Sequence, residues 1–322
     1  MLRCLFVALM LLATGFSTRA AEHVFALDAP RPQGRHTPYF IALDRGFYKE
    51  AGIELRIVPG RGSADGINRI AAGEASFAFG DAGALVLARA KGATVKMVGV
   101  IYASSPFVIF SLKGTPIAGP KDLEGKTIAA PPTDGMRTMF PVFAKVAGID
   151  ADKVRWVDMP IEKKDQALLA REVDGMTSGL QQRPLLSKSA AEKNLEVQTL
   201  RWGEFGFALY SNGLLVGDAL IASDPALVKG FVAATMRGFA ATFADVDAAV
   251  ATMVRLHPTL DPAIVRAEIE IVRDMAMTED AKRHGIGWID QATMQATVDA
   301  VADVFKVEKP PVAELYSNDF IR

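Results

Sequence analysis

Apolar and polar positions change period several times along this chain, and each change marks an element. His23 to Leu27 reads as a short strand. Thr37-Pro38 opens a helix in which Phe40, Ile41, Leu43, Phe47 and Tyr48 fall at helical spacing, and Gly52 can stop it in a left-handed conformation. Ile53 to Val58 alternates as a strand. Ser63 then caps a helix carrying Ile67, Ile70 and Ala71 that stops at Gly73. Ser76 to Phe79 follows as a strand, Gly83 to Ala90 as a helix, and Thr94 to Tyr102 as a strand. Met97 to Leu112 is apolar but broken by Ser104, Ser105 and Pro106, so it reads as two buried strands joined by a turn. A second series has strands at 126–130, 154–157 and 175–178, and helices at about 133–147 and 161–171. From Asp224 onward the pattern is helical, over 224–243, 246–256, 261–277 and 290–305.

Strands alternating with helices predict an α/β protein with mixed sheets flanked by helices. The two series, and the echo of Ala51-Gly52-Ile53 in Ala147-Gly148-Ile149, suggest two lobes of one plan. A helical tail without its own strand must pack on an earlier lobe, and we assign it to the first. Lobe one is then 21–112 and 211–322, and lobe two is 113–210. The chain crosses near Phe110–Gly114 and near Ala208–Leu215, and two crossing strands form a hinge.

The N-terminus has a different pattern. A basic start (Met1-Leu2-Arg3), an apolar run from Cys4 to Leu12 and the small-residue site Thr18-Arg19-Ala20 read as a cleaved signal peptide over 1–20. The run is shorter than the roughly 20 apolar residues a spanning helix takes. Cleavage would remove Cys4, the one cysteine, which suits an oxidising compartment such as a periplasm. The apolar half of the chain suits a packed core, and a net charge of −1 gives no general field for nucleic acid.

Signatures of common enzymes are missing from the sequence: G-x-S-x-G, H-E-x-x-H and a phosphate loop ending in Gly-Lys-Ser/Thr. His23, His36, His257 and His284 have no metal-ligand spacing, so neither a zinc site nor another cofactor is expected. Gly60 to Gly66 follows a strand and opens a helix, the setting of a dinucleotide loop, but its spacing is G-x-G-x-x-x-G. The plainer readings are a glycine turn with a serine cap, or Arg61, Gly62 and Ser63 holding an acidic or hydrogen-bonding group at a helix start. Pro131 to Arg137 offers a matching element: Thr133 or Asp134 caps the helix, and Arg137 is an anion-clamp candidate. Asp81 ends a strand, where ligands of open α/β sheets bind, or else caps the next helix. Tyr39, Trp202 and Tyr210 supply either pocket walls or plain core.

Four stretches and the C-terminus carry a resemblance. They are His36-Thr37-Pro38-Tyr39 through Gly46 to Ile53, Ala72-Gly73-Glu74-Ala75-Ser76-Phe77, Ala88-Arg89-Ala90-Lys91-Gly92, Gly119 to Lys126, and Tyr316 to Ile321. Together they resemble the extracytoplasmic solute-binding proteins of ABC transporters for nitrate, sulfonates and thiamine precursors. The resemblance implies a periplasmic binding protein type II fold. It implies a monomer without enzymatic activity that captures a small organic solute (a thiamine-precursor pyrimidine, a sulfonate or similar) between its lobes. The solute would pass to an ABC permease in the inner membrane, and nucleic acid has no part. Carried over to this chain, the ligand contacts are His36, Pro38 and Tyr39; Arg61, Gly62 and Ser63; Asp81; and Thr133, Asp134, Gly135 and Met136. Fungal thiamine-pyrimidine synthases share this fold but carry a cysteine-rich run, which this sequence does not have. The rival readings are a secreted enzyme using the same cleft and a sensor presenting its ligand to a membrane receptor.

Overall fold

The computed structural model describes residues 22–115, 117–132 and 134–321. The predicted signal segment 1–20 and Thr133 lie outside the described residues.

The chain opens with β1 (Glu22–Ala26), α1 (Thr37–Asp44), α2 (Phe47–Glu50), β2 (Glu54–Val58), α3 (Ser63–Ala71), β3 (Phe77–Asp81), α4 (Ala82–Arg89) and β4 (Val95–Val100). One continuous helix was expected where α1 and α2 lie. Gly46, at φ +75°, turns the chain between them. Next come β5 (Phe107–Leu112), β6 (Thr127–Ala129), α5 (Gly135–Ala147), β7 (Arg155–Val157), α6 (Ile161–Leu169), β8 (Gly175–Gly179), α7 (Arg183–Ala191) and β9 (Val197–Arg201). The chain then returns through β10 (Asn212–Gly217) to α8 (Asp218–Ser223), α9 (Pro225–Ala244), α10 (Val246–Leu256), α11 (Pro262–Ala276), α12 (Glu279–His284) and α13 (Gln291–Phe305).

Two five-stranded mixed sheets result, ordered β2-β1-β3-β10-β4 and β7-β6-β8-β5-β9. In the first, β1, β2 and β3 are parallel and β10 is antiparallel to both β3 and β4. In the second, β6 runs parallel to β7 and β8, and β5 antiparallel to β8 and β9. This corrects the expected lobe boundary. Residues 107–112 pair within the second sheet, so the first crossing lies at 101–106, a strand earlier than Phe110–Gly114. All six residues of β5 are buried, and an apolar run buried on both faces carries no mark of the sheet it joins.

The two crossings bond to each other. Tyr102 N donates to the Asn212 carbonyl at 2.8 Å, and Ser211 N donates to the Tyr102 carbonyl at 3.1 Å. The helical tail packs chiefly on the first sheet, with α9 lying along α1 and α13 along α4, while α13 also touches α5 of the second lobe. Glycine allows the α1–α9 approach, since a Cβ on Gly238 would sit 2.3 Å from the Pro38 carbonyl oxygen. No helix among the described residues is long and apolar enough to cross a membrane.

Candidate functional site

Strand directions gather polar groups at one edge of the first sheet. β1, β2 and β3 end there, and antiparallel β10 begins there. Asp28, two residues past β1, therefore meets residues 184 positions later in the chain: Asn212 Nδ2 donates to Asp28 Oδ2 at 2.9 Å. Arg35 Nη1 donates to the same oxygen at 2.8 Å, and Arg35 Nε donates to Gln33 Oε1 at 2.7 Å. The Gln33 amide donates to His36 Nδ1 at 3.1 Å, so the proton of the neutral ring is on Nε2, which donates to Asp28 Oδ1 at 3.1 Å.

Burial and charge decide the ionisation of this cluster. Burial works against the Asp28 carboxylate, yet the Arg35 guanidinium and the His36 bond hold its pKa well below the usual range. His36 is fully buried, and burial together with the Arg35 charge lowers its pKa to about 4. The imidazole is thus neutral at pH 7.

The network continues across the edge. The Ser211 hydroxyl lies 2.9 Å from Asp81 Oδ2 and 3.0 Å from Asn212 Oδ1, and its one proton serves them in turn. Asp81 caps α4 by accepting the Ala84 amide at 3.1 Å, and its own amide donates to Ser63 Oγ at 2.9 Å. No cation among the described residues pairs with Asp81, and burial raises its pKa against the pull of those donors. Tyr39 and Tyr102 border the cluster with buried hydroxyls; that of Tyr39 has no hydrogen-bond partner among the described residues, and that of Tyr102 lies beside the Arg35 guanidinium. Burial pushes Tyr102 up to about 12 although the Arg35 charge opposes it.

The second sheet presents a simpler edge. Asp134 Oδ1 caps α5, accepting from the Met136 and Arg137 amides at 2.9 and 3.0 Å. Its Oδ2 accepts from Lys164 Nζ at 3.0 Å and from Thr177 Oγ1 at 3.2 Å. The lobes meet beside these groups: a Cβ on Gly83 would lie 2.6 Å from Met139 Sδ of α5 and 3.0 Å from Asp81 Oδ1. Asp81 thus lies at the contact between the two lobes, with Met139 of α5 on one side.

The structure sorts the sequence candidates. His36, Ser63 and Asp81 share the first network. Gly62, not Ser63, is the cap residue of α3: its φ of +99° turns the chain, and the Ser63 hydroxyl is left to serve Asp81. Arg61 is exposed, and Gly135 and Met136 open α5. Arg137 is committed as a structural group rather than an anion clamp. It donates to the Ala130 carbonyl at 2.9 Å, pairs with Asp158 at 2.5 Å and lies 5.0 Å over the Trp156 ring. Pro38 packs toward α9, and Tyr39 stands in the aromatic core against Phe25, Phe79 and Phe239. Trp202 belongs to the second lobe's core, stacked on Phe143 at 4.6 Å, rather than to a pocket wall. Tyr210 sits on the return crossing, where its hydroxyl accepts the Asp290 amide at 2.8 Å.

Sequence reasoning missed Asp28, Arg35, Tyr102, Ser211, Asn212, Lys164, Thr177 and Glu268. The rule that picked Asp81, an acid at a strand's C-terminal end, would also have found Asp28. Glu268 lies inside α11 and gave no signal. Its Oε2 accepts the Arg35 amide at 3.0 Å, and burial raises its pKa to about 7.

Comparison with known proteins agrees with this architecture. The chain is 25% identical over 301 residues to the riboflavin-binding protein RibY of Chloroflexus aurantiacus, covering 90% of this chain and 83% of that protein. It is 24% identical over 225 residues to the 4-amino-5-hydroxymethyl-2-methylpyrimidine phosphate synthase of Legionella pneumophila, covering 70% and 71%. The alkanesulfonate-binding protein SsuA from Xanthomonas axonopodis pv. citri, bound to MOPS, superposes with a TM-score of 0.71 at 15% identity, covering 92% of this chain and 98% of that one. The fold is accordingly the type II periplasmic binding protein fold. A family model described as NMT1/THI5 like matches residues 33–249, a span running from the Arg35 loop to the helices beyond the second crossing, and the chain belongs to that family.

Proposed function

We propose that this protein is the periplasmic solute-binding component of an ABC importer, exported through a cleaved signal peptide and acting as a monomer. It holds a small nitrogen heterocycle with N–H donors in the groove between the sheets and delivers it to a permease. The observation that carries this reading is Asp81: a buried carboxylate at the contact between the lobes with no cationic partner among the described residues. The Ala84 amide and the Ser211 hydroxyl reach it, but both are neutral, and burying a charge without an opposite one is costly. The nearby cations are already engaged, buried Arg35 by Asp28, buried Lys164 by Asp134 and the partly exposed Arg137 by Asp158. The helix starts at α4 and α5 are filled by their own aspartates, which leaves little to attract an anion. Riboflavin and the aminopyrimidine in the names of two relatives carry the donors such a site needs.

A thermal-shift and calorimetry screen tests this on the mature chain with riboflavin, 4-amino-5-hydroxymethyl-2-methylpyrimidine, MOPS and nitrate. A heterocycle at 100 times its Kd should add about 2.7 kcal/mol of stability. MOPS or nitrate binding with both heterocycles inert would overturn the solute class. The Legionella synthase among the relatives supports a second reading, an enzyme using the same groove. A carrier releases its solute unchanged after denaturation, whereas an enzyme releases a product.

A further inference from the structure

One buried carboxylate meets the network that joins Asp28 to Asp81 from a separate helix, through the backbone of Arg35. Glu268 lies in the middle of α11, 3% exposed, and accepts the Arg35 amide at 3.0 Å. Loop and helix meet backbone to backbone there, since a Cβ on Gly34 would be 2.6 Å from Val265 Cα. The same helix starts at Asp261, whose two oxygens are divided between lobes. Oδ1 caps α11 by accepting the Ala263 amide at 2.8 Å, and Oδ2 accepts from Lys188 Nζ of α7, in the second lobe, at 2.5 Å. The helix also packs against residues 180–182 and α7.

We propose that Glu268 is a positioning residue and α11 a strap, tying loop 33–36, which carries the Asp28 network, to the second lobe so that parting of the lobes loosens the loop. This rests on the reading of the groove as the solute site. Asp261 and Glu268 are about two turns apart on one helix, so a pull at one end reaches the other over about 10 Å of hydrogen-bonded backbone. The two anchors differ in kind. The Lys188–Asp261 pair is exposed and open to salt, while the Glu268 bond is buried. The outer anchor therefore yields first, and the loop follows.

Amide hydrogen exchange on the mature chain carrying Lys188→Met tests this without any solute. Lys188 is half exposed, so the variant folds. Exchange at 34–36 should rise about two- to five-fold, the range set by exposed ion pairs, and Lys188→Arg should restore protection. Salt at 1 M should act like the substitution on the wild type and have no effect on the variant. Exchange at 81–84 and 134–137, which α11 does not hold, should stay level. Unchanged exchange at 34–36, or an equal rise in all three segments, overturns the strap. A chain that bound none of the screened solutes could still pass, and a riboflavin binder could fail.

Discussion

Asp28 and Arg35 are chemically unequal partners, and the inequality gives a prediction with a sign and a size. Asp28 accepts from Arg35 at 2.8 Å, Asn212 at 2.9 Å and His36 at 3.1 Å. Asp28→Asn turns an amide toward a guanidinium that is 7% exposed and cannot release its proton. Leaving one charge of a buried pair uncompensated costs roughly 3–5 kcal/mol. That is a large part of the about 5–15 kcal/mol that holds a typical domain together. Arg35→Met instead leaves a carboxylate with two neutral donors and the option of taking up a proton, at a cost of about 1–3 kcal/mol near neutral pH. In that variant the folded carboxyl has a higher pKa than the unfolded one. Its penalty is therefore full at high pH and shrinks as pH falls. Urea unfolding at pH 5 and pH 8, with m-values compared to check for two-state behaviour, measures all three chains. The reasoning fails if Asp28→Asn costs under about 1 kcal/mol, or if Arg35→Met is the more damaging variant at pH 5.

Other expectations follow from single contacts. Glu268 faces the Arg35 and Gly34 amides, the Arg35 charge and Tyr102, and its folded pKa of about 7 lies above its ordinary 4.5. The stability this gives is whole below pH 4.5 and lost as pH rises through 7. The wild type should lose on the order of 3 kcal/mol relative to Glu268→Gln between pH 4.5 and 8, and parallel melting curves would refute this. Gly34→Ala forces a Cβ to within 2.6 Å of Val265 Cα, so denaturant melts should show about 1–3 kcal/mol of destabilisation; no change would mean the loop can retreat. Arg137→Ala should leave solute affinity within about two-fold by calorimetry, because the guanidinium serves Asp158 and the Ala130 carbonyl. A ten-fold loss, or about 1.4 kcal/mol, would return Arg137 to the groove.

The sequence made local chemistry readable where one residue sets it. Gly148 ends α5 at φ +68°, and Asp81 and Asp134 cap the helices they precede. The C-terminal helices follow from their apolar spacing and from aspartates at 224, 245, 261 and 290 that cap α9, α10, α11 and α13. Pairing was harder to read. β5 looks the same whichever sheet it joins, and α7 and β9 were missed because their mixed positions show no clean period. In the site, Asp81 was legible as an acid at a strand end and Asp28, under the same rule, was overlooked, whereas Asn212 reaches Asp28 and Glu268 reaches Arg35 only through strand order and helix packing. Their sequence separations of 184 and 233 residues hide them from any local pattern.

β10 occupies an inner position of the first sheet although it is the last strand made. Until residue 217 leaves the ribosome, β3 and β4 each have an open flank that nothing upstream can fill. The second sheet, drawn from one continuous stretch, has no such wait. A chain truncated before Ser211 should therefore keep its later half ordered while its earlier half exposes two raw strand borders prone to clumping. If the chain is exported as proposed, that delay would keep the nascent chain loose enough to thread a translocation channel.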